Sequence, residues 1–275
     1  MSDQQLTVIV PTYNEEVNIA KCLESLKLVN AKVVVVDSKS TDSTQEIVKS
    51  FDVDIVDGEW RSFAEKMNWS LENLPITTKW VMRLDADEEV LPELVDELNN
   101  KLPDEQEAVA FAVRRRIKFL GKWIRFGGIY PSWQVRIWQH GKAKFEMREL
   151  DEHMEFDGIC KKFQGDIVDD NLKGLHVWSV KHCTYAEREV SESLKKKQGS
   201  WKELKGQAKI KRYLKEAVYN RLPLFLGPFL FVFYRYFIKL GFLDGKAGLI
   251  YHFLHGFWYR FLIDSRIYEE QTNKE

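Results

Sequence analysis

At 275 residues, with 44% apolar and 30% charged residues, the chain is long enough to bury a full core and excludes a disordered or fibrous polypeptide. Its net charge of −1 hides an asymmetry: Ser191–Lys215 carries nine Lys/Arg against two Glu and the remainder seven against six, which leaves −9 for Met1–Val190. Cys22, Cys160 and Cys183 are odd in number and widely spaced, which excludes a disulfide framework and a cysteine zinc site and points to a reducing compartment.

The first residues hold no basic stretch followed by an apolar one, so no signal peptide is expected. Leu6–Val10 is a short β-branched run ended by Pro11 and reads as a buried strand. Asn14–Leu26 follows with apolar residues at helical spacing, Asn14 as N-cap and Glu15 and Glu16 in the first turn. Lys32–Val36 is a second buried strand with Asp37 at its end, and a polar loop, SKSTDST, leads to a helix over Thr41–Phe51. Val53–Val56 reads as a third strand, Phe63–Leu74 as a helix, and Trp80–Leu84 as a fourth strand running into Asp85-Ala86-Asp87. A helix over Glu93–Lys101 and a strand over Ala108–Arg114 come next, then a glycine-rich and aromatic stretch over 117–145 and an acidic cluster within Phe145–Gly165. Thr184–Lys215 reads as a helix. Strands alternating with helices imply a mostly parallel sheet flanked by helices, a Rossmann-type α/β fold. Ligands bind such sheets beyond the C-terminal strand ends, here PTYNE, DSKSTDS and DADEE.

Asp85 and Asp87 flank one small residue, so in an extended segment both carboxylates share a face. Hard oxygen ligands of this kind hold a divalent cation, which stabilises a leaving diphosphate. Asp37, ending an apolar strand, is placed to accept hydrogen bonds from a pyrimidine ring. Ser38 and Ser40 can contact a nucleotide, whereas Thr41 and Asp42 read as helix-capping residues. Trp133 offers a face for stacking on a sugar, and Arg136 a bidentate group for phosphate, while Trp138 reads as core. The run Arg114-Arg115-Arg116 alternates faces, so only part of it can reach a site. His176 and His182 are candidate metal or phosphate contacts, with packing beside Trp178 as the other reading. Glu155 and Asp157 read as a polar loop.

TVIVPTYNEE, VVVVDSKSTDST and WVMRLDADEEV resemble, in order and spacing, the three signatures of the family 2 glycosyltransferases, which have the GT-A fold. The resemblance spans Leu6–Gly174 and implies inverting transfer of a sugar from a nucleotide-diphosphate donor with Mn or Mg. It implies that Pro11, Thr12, Tyr13 and Glu15 line the nucleotide and that Asp37 and Ser38 approach the base. It puts Asp85 and Ala86 beside ribose and metal, Asp87 as the direct metal ligand, His176 as a further metal contact, and Lys66 as a basic group near the nucleotide. The family's small residue after Ser38 is here Lys39. Inversion needs a base for the acceptor hydroxyl. Similarity to bacterial lipopolysaccharide-core and polysaccharide enzymes points to the Asp151-Glu152 pair, with Glu152 first and Asp151 second. A UDP-linked donor follows from the fit of Asp37 to uracil.

Leu222–Ile238 is the long apolar run of the chain, yet it carries Arg235 and is broken by Pro223, Gly227 and Pro228. Against the roughly 20 apolar residues of a spanning helix it reads as interfacial or re-entrant. Aromatic residues with interspersed Lys and Arg over the last third suit an anionic membrane surface more than nucleic acid. A homo-oligomer interface is the second reading, compatible with the first. The expectation is therefore a catalytic domain over 1–190 and a basic, aromatic helical region over 191–275 that associates with membrane. The acceptor would be a glycan, a polyprenyl-diphosphate-linked glycan or lipid A core, at the cytoplasmic side of a bacterial inner membrane. Two rivals remain, an inactive membrane scaffold and a nucleotidyltransferase. The latter would need a glycine-rich basic phosphate loop where PTYNEE is acidic.

Overall fold

Every residue of the first strand, β1 (Leu6–Thr12), is buried. A strand covered on both faces needs mostly apolar side chains, which Leu6, Val8, Ile9 and Val10 supply, while the hydroxyls of Thr7 and Thr12 find partners in Thr78 and Asp37. The computed structural model describes residues 4–147, 153–194 and 222–273 and divides the chain into two compact units. The first comprises Met1–Gly121 and Pro131–Lys173, the second Lys122–Tyr130 and Gly174–Glu275. The division thus falls at Gly174 rather than after residue 190, and a short segment inside the expected catalytic domain belongs to the second unit.

In the first unit β1 is followed by α1 (Ile19–Leu26), β2 (Ala31–Asp37), α2 (Thr44–Ser50), β3 (Asp54–Asp57), α3 (Phe63–Asn73), β4 (Trp80–Arg83), β5 (Glu88–Val90), α4 (Pro92–Asn100) and β6 (Ala108–Phe119). The second unit contributes β7 (Lys122–Ile124), after which β8 (Ser132–Gln139), β9 (Ala143–Phe145), β10 (Met154–Phe156) and β11 (Ile159–Asp169) complete the first. The main sheet runs β3-β2-β1-β4-β8-β6-β11-β5. β3, β2, β1 and β4 are parallel, β8 is antiparallel to both its neighbours, β6 and β11 are parallel, and β5 is antiparallel to β11. The expected parallel sheet is therefore its N-terminal half, extended into a mixed sheet. With β2 on one side of β1 and β4 on the other, the winding reverses at β1, and a ligand crevice forms beyond the carboxyl ends of such strands.

One face of the sheet packs Val8, Val10, Met82 and Leu84 against Ile19 and Leu23 of α1 and Leu94 and Leu98 of α4. The opposite face packs Ile9, Val34, Val81 and Trp138 against Ala64 and Met67 of α3. Trp138 is core, as read. Asn14 is not the N-cap of α1: its φ is +53°, its side-chain oxygen accepts from the Thr41 amide, and the helix starts at Ile19. The asparagine serves the neighbouring loop instead. β11 departs from regular register between Lys162 and Asp166. There Glu97, 7% exposed, accepts from the amides of Gln164 and Gly165 at 2.7 and 2.8 Å. Gly165 is required because a Cβ would stand 2.4 Å from the backbone of Leu94.

In the second unit α5 (Gly174–Leu194) starts ten residues before the expected helix, and the expected stretch beyond residue 194 lies outside the described residues. α6 (Leu226–Phe233) continues through a π-helical turn, Tyr234–Ile238, to a 3-10 turn, Gly241–Asp244. α7 (Gly245–Tyr251), a second π-helical turn (His252–Trp258) and α8 (Tyr259–Thr272) follow. Ala186 and Val190 of α5 pack on Ile263, and the Tyr259 hydroxyl donates to Glu189. Among the described residues no single helix is long and apolar enough to cross a membrane; Leu226–Ile238 and Gly241–Thr272 pass together but are bent by 71°.

Because Glu97 satisfies two amides at an irregular strand, Glu97→Ala should lower the free energy of unfolding by about 1–3 kcal/mol. Exposed Glu93→Ala should stay within about 0.5 kcal/mol. Equal midpoints and slopes for both variants in urea denaturation would refute the role of Glu97.

Candidate active site

The carboxyl ends of β2, β1 and β4 lie side by side, with Thr12 paired to Asp37 and Ile9 to Arg83. Asp37 is fully buried and accepts four hydrogen bonds. Oδ1 takes the Ser40 amide at 2.7 Å and Gln45 Nε2 at 3.0 Å, and Oδ2 takes Thr12 Oγ1 at 2.7 Å and Ser40 Oγ at 2.6 Å. Burial works against its charge, but the donors Ser40, Gln45 and Thr12 outweigh it and hold the carboxyl below its ordinary value. The expected contact of Asp37 with a nucleobase would have to compete with these four donors, by which the carboxylate holds the loop after β2. Asp42 accepts from Thr44 N and Oγ1, the capping role read from the sequence. Lys39 holds a left-handed φ of +55°, which explains the preference for a small residue there, and its ammonium pairs with Glu59.

Lys66, on the second turn of α3, is 7% exposed and donates to the carbonyls of Thr12 at 2.9 Å and Val36 at 3.5 Å. The Ser38 amide donates to the same Thr12 oxygen. Burial lowers the Lys66 pKa to about 8, against the pull of Asp37, Asp85 and Glu15. The lysine therefore brings a cation to the end of β1, without a direct carboxylate partner. Pro11 and Ala86 are buried, whereas Tyr13 is 57% exposed and offers its ring to a ligand. Glu15 binds Lys173 at 2.6 Å and Asn18 at 2.7 Å, and burial raises its pKa despite both.

Beyond β4 an ion cluster forms. Arg83 donates from two nitrogens to Asp85, at 2.7 and 2.8 Å, and Arg136 reaches Asp85 at 3.2 Å and Glu88 on its other side. Burial disfavours the Asp85 charge, but the two guanidinium groups outweigh it and hold the carboxyl well below the usual range. Glu88 is 1% exposed, and burial, aided by the like charge of Asp85, pushes its carboxyl up to about 8 against the pull of Arg136. Arg136, the candidate for a phosphate, is 2% exposed and paired with Asp85 and Glu88. Its aim comes from a bulge. Ile137 and Val135 face Phe111 and Ala112 in consecutive pairs, so Arg136 is the extra residue, and bulges re-aim side chains in this way.

Asp87 stands half-buried one step past Ala86, as the alternation requires. Its Oδ2 accepts from Asn171 Nδ2 at 2.8 Å, and Oδ1 has no partner among the described residues. Asp87 therefore has an oxygen that could take a cation, whereas Asp85 is held by its arginines. His176 is exposed and belongs to the second unit, and no group of three His, Cys, Asp or Glu gathers among the described residues to hold a metal. His182 is a packed residue, stacked on Trp178 at 3.6 Å with Nδ1 against the Trp178 carbonyl. Trp133 is half-buried, with Lys162 over its ring at 4.6 Å. Arg114 and Arg116 bind Asp166 while Arg115 binds Asp169, the alternation read from the sequence. Glu155 pairs with Lys144 across β9 and β10, on a strand rather than a loop. Asp151 and Glu152 lie outside the described residues. Glu88, Asn171 and Lys173 were not singled out in the sequence. The acidic run RLDADEE contained Glu88, but nothing marked it as the buried member.

The family model for glycosyl transferase family 2 matches residues 7–162. A lipopolysaccharide core biosynthesis glycosyltransferase, LpsC of Rhizobium meliloti, is 24% identical over 98% of this chain and 94% of its own length. An uncharacterized glycosyltransferase of Rickettsia typhi is 35% identical over 34% of this chain and 32% of its own. Among solved structures, a mannosyltransferase of Pyrobaculum calidifontis in complex with GDP-Man and Mn2+ aligns with a TM-score of 0.52, at 17% identity, over 96% of this chain and 86% of its own. S. aureus TarS 1–349 in complex with UDP-GlcNAc aligns with 0.50, at 14% identity, over 98% and 92%. These similarities are to the fold.

If Arg136 is the counter-ion of a buried carboxyl, Arg136→Met should cost about 3–5 kcal/mol of stability, and Glu88→Leu with Arg136→Met should recover most of it. Chemical denaturation measures both; a mild single variant that merely weakens ligand binding would restore the phosphate reading. Lysines labelled by reductive 13C-methylation should show one signal titrating near 8 that Lys66→Arg removes, the cation being present below that pH and lost above it. A set of lysine signals all titrating at ordinary values would contradict the buried ammonium.

Proposed function

Because this chain belongs to glycosyl transferase family 2, we propose that it transfers a sugar, with inversion, from a UDP-linked donor to a lipopolysaccharide-core or lipid-linked glycan at the cytoplasmic face of a bacterial inner membrane. The observation that carries the reading is the convergence of Thr12, Asp37, Lys66, Asp85 and Asp87 at the ends of adjacent parallel strands, on either side of the winding reversal at β1. The core-biosynthesis relative, alignable over nearly its whole length, supports the acceptor class, and the UDP-GlcNAc held by a fold neighbour supports the donor class.

Asp87 would hold Mn or Mg through its unpartnered oxygen. Such ions are bound by one or two carboxylates together with substrate phosphates, so the site needs no cage of protein ligands. Held there, such an ion would supply positive charge to offset that developing on a leaving diphosphate. Lys66 places a second positive charge beside the nucleotide, the exposed Tyr13 ring stacks on it, and Asp37 keeps the loop bearing Ser38 in shape. The Arg83–Asp85–Arg136 cluster fixes the chain just before Asp87. Glu152, or Asp151 in its place, takes the proton of the acceptor hydroxyl as that oxygen attacks the anomeric carbon from the face opposite the leaving group.

A panel of nucleotide sugars, assayed for nucleotide release with and without Mn, tests the reading. Release should be metal-dependent, and Asp87→Asn should reduce it by about a hundredfold or more. Glu152→Gln should bind donor and fail to transfer; a dead Asp151→Asn beside an active Glu152→Gln moves the base by one residue. No release from any common donor would favour the inactive scaffold.

A further inference from the structure

The second unit exposes apolar surface that its own packing leaves unused. Phe229, Phe233, Phe237, Phe242, Leu243 and Phe253 are each 43–56% exposed. A groove of about 450 Å³ runs among Phe229, Phe233, Phe237, Leu249 and Phe253, within the roughly 300–1,000 Å³ of small-molecule clefts. His252 also lines it; the side chain is fully buried, and neither ring nitrogen has a hydrogen-bond partner.

The charges identify the partner. Between Leu222 and Leu262 the chain has Arg235, Lys239, Lys246 and Arg260 against Asp244 alone. Asp244 is 3% exposed and is turned inward, accepting from the amides of Arg125 and Phe126 at 3.1 and 2.9 Å. Lys239 and Lys246 are exposed. The exposed charges along this stretch are therefore cationic, beside exposed apolar side chains. A second copy would bring the same sign of charge against it, whereas an anionic leaflet complements both properties. Neither helical stretch crosses a membrane alone, and the pair is bent by 71° between Ile238 and Gly241. A bent, aromatic, cationic pair suits the boundary between headgroups and acyl chains.

We propose that this face is a monotopic lipid-docking surface. It lies in one leaflet of an anionic bilayer, the groove takes a hydrocarbon chain, and Lys239 and Lys246 meet headgroup phosphates. This deepens the membrane-side placement proposed above, and its test reads no transfer activity, so either can fail without the other. The full chain is floated with vesicles of phosphatidylethanolamine and phosphatidylglycerol, and with phosphatidylcholine alone. Flotation should require the anionic lipid and weaken in high salt. Phe233→Glu with Phe237→Glu should reduce it about tenfold at unchanged circular dichroism, and Lys239→Glu with Lys246→Glu should reduce it about as much. The proposal is overturned if the wild-type chain does not float, or if both double variants float like the wild type. A wild-type dimer in sedimentation velocity, dispersed by Phe233→Glu with Phe237→Glu and indifferent to vesicles, would overturn it in favour of a second copy.

Discussion

A guanidinium sealed from water must have an anion, and Arg136 has two carboxyl partners, Asp85 and Glu88, of which Asp85 holds the charge. Much of the first unit's chemistry is arranged by that requirement. Reaching Asp85 and Glu88 from β8 ties the antiparallel half of the sheet to the turn after β4, so the turn cannot drift from the strand ends beside it. Sharing one cation between two carboxyls also separates them. Asp85, with Arg83 as a second partner, stays ionised, while Glu88 carries the burden of burial. Arg83 in turn lies 4.1 Å over the ring of Phe63, at the start of the helix that delivers Lys66. A continuous line of charge and aromatic contacts thus runs from β8 to the cation at the end of β1. Asp87, next along the turn, is left with an oxygen to give.

The sequence made the strand ends legible because each apolar run stops at a polar cluster, and the three clusters fall at equivalent points of neighbouring strands. It did not make legible which polar atoms were already used. Asp37 looked available, but three of its four donors come from Ser40 and from Gln45 on α2, residues whose reach depends on how the loop closes. Trp133 and Arg136 were both candidates for a ligand. Three residues apart, they face opposite ways in a regular strand, and the bulge that re-aims Arg136 leaves no mark in a period-two pattern. Arg114-Arg115-Arg116 lay in regular strand, and there alternation alone sorted the side chains correctly. The change of layer at Gly174 was hidden for another reason: the helix begins within a stretch whose aromatic and polar residues have little amphipathic order.

The segment Asp170–Lys173 closes the site from the far end of the unit. Asp170 binds Lys21 at 2.9 Å and Lys118 at 3.1 Å, Asn171 binds Asp87, the Leu172 amide donates to Asn18 at 2.9 Å, and Lys173 binds Glu15. Four consecutive residues therefore touch α1, the loop before it, β6 and the acidic turn. None of these contacts is local; Lys173 and Glu15 are separated by 158 residues.

That separation bears on the birth of the protein. Closing so long a loop is paid in chain entropy before any contact rewards it, so such contacts form late in folding. On the ribosome, β1 to β4 and their helices are complete long before Asp170 has been synthesised. Until it arrives, Glu15 lacks its lysine, Asp87 lacks its amide, and Lys21 lacks one of its carboxylates. The sheet can thus be assembled while the acidic turn is still electrostatically raw, and the centre acquires its balanced charge as the last strand of the first unit is laid in place.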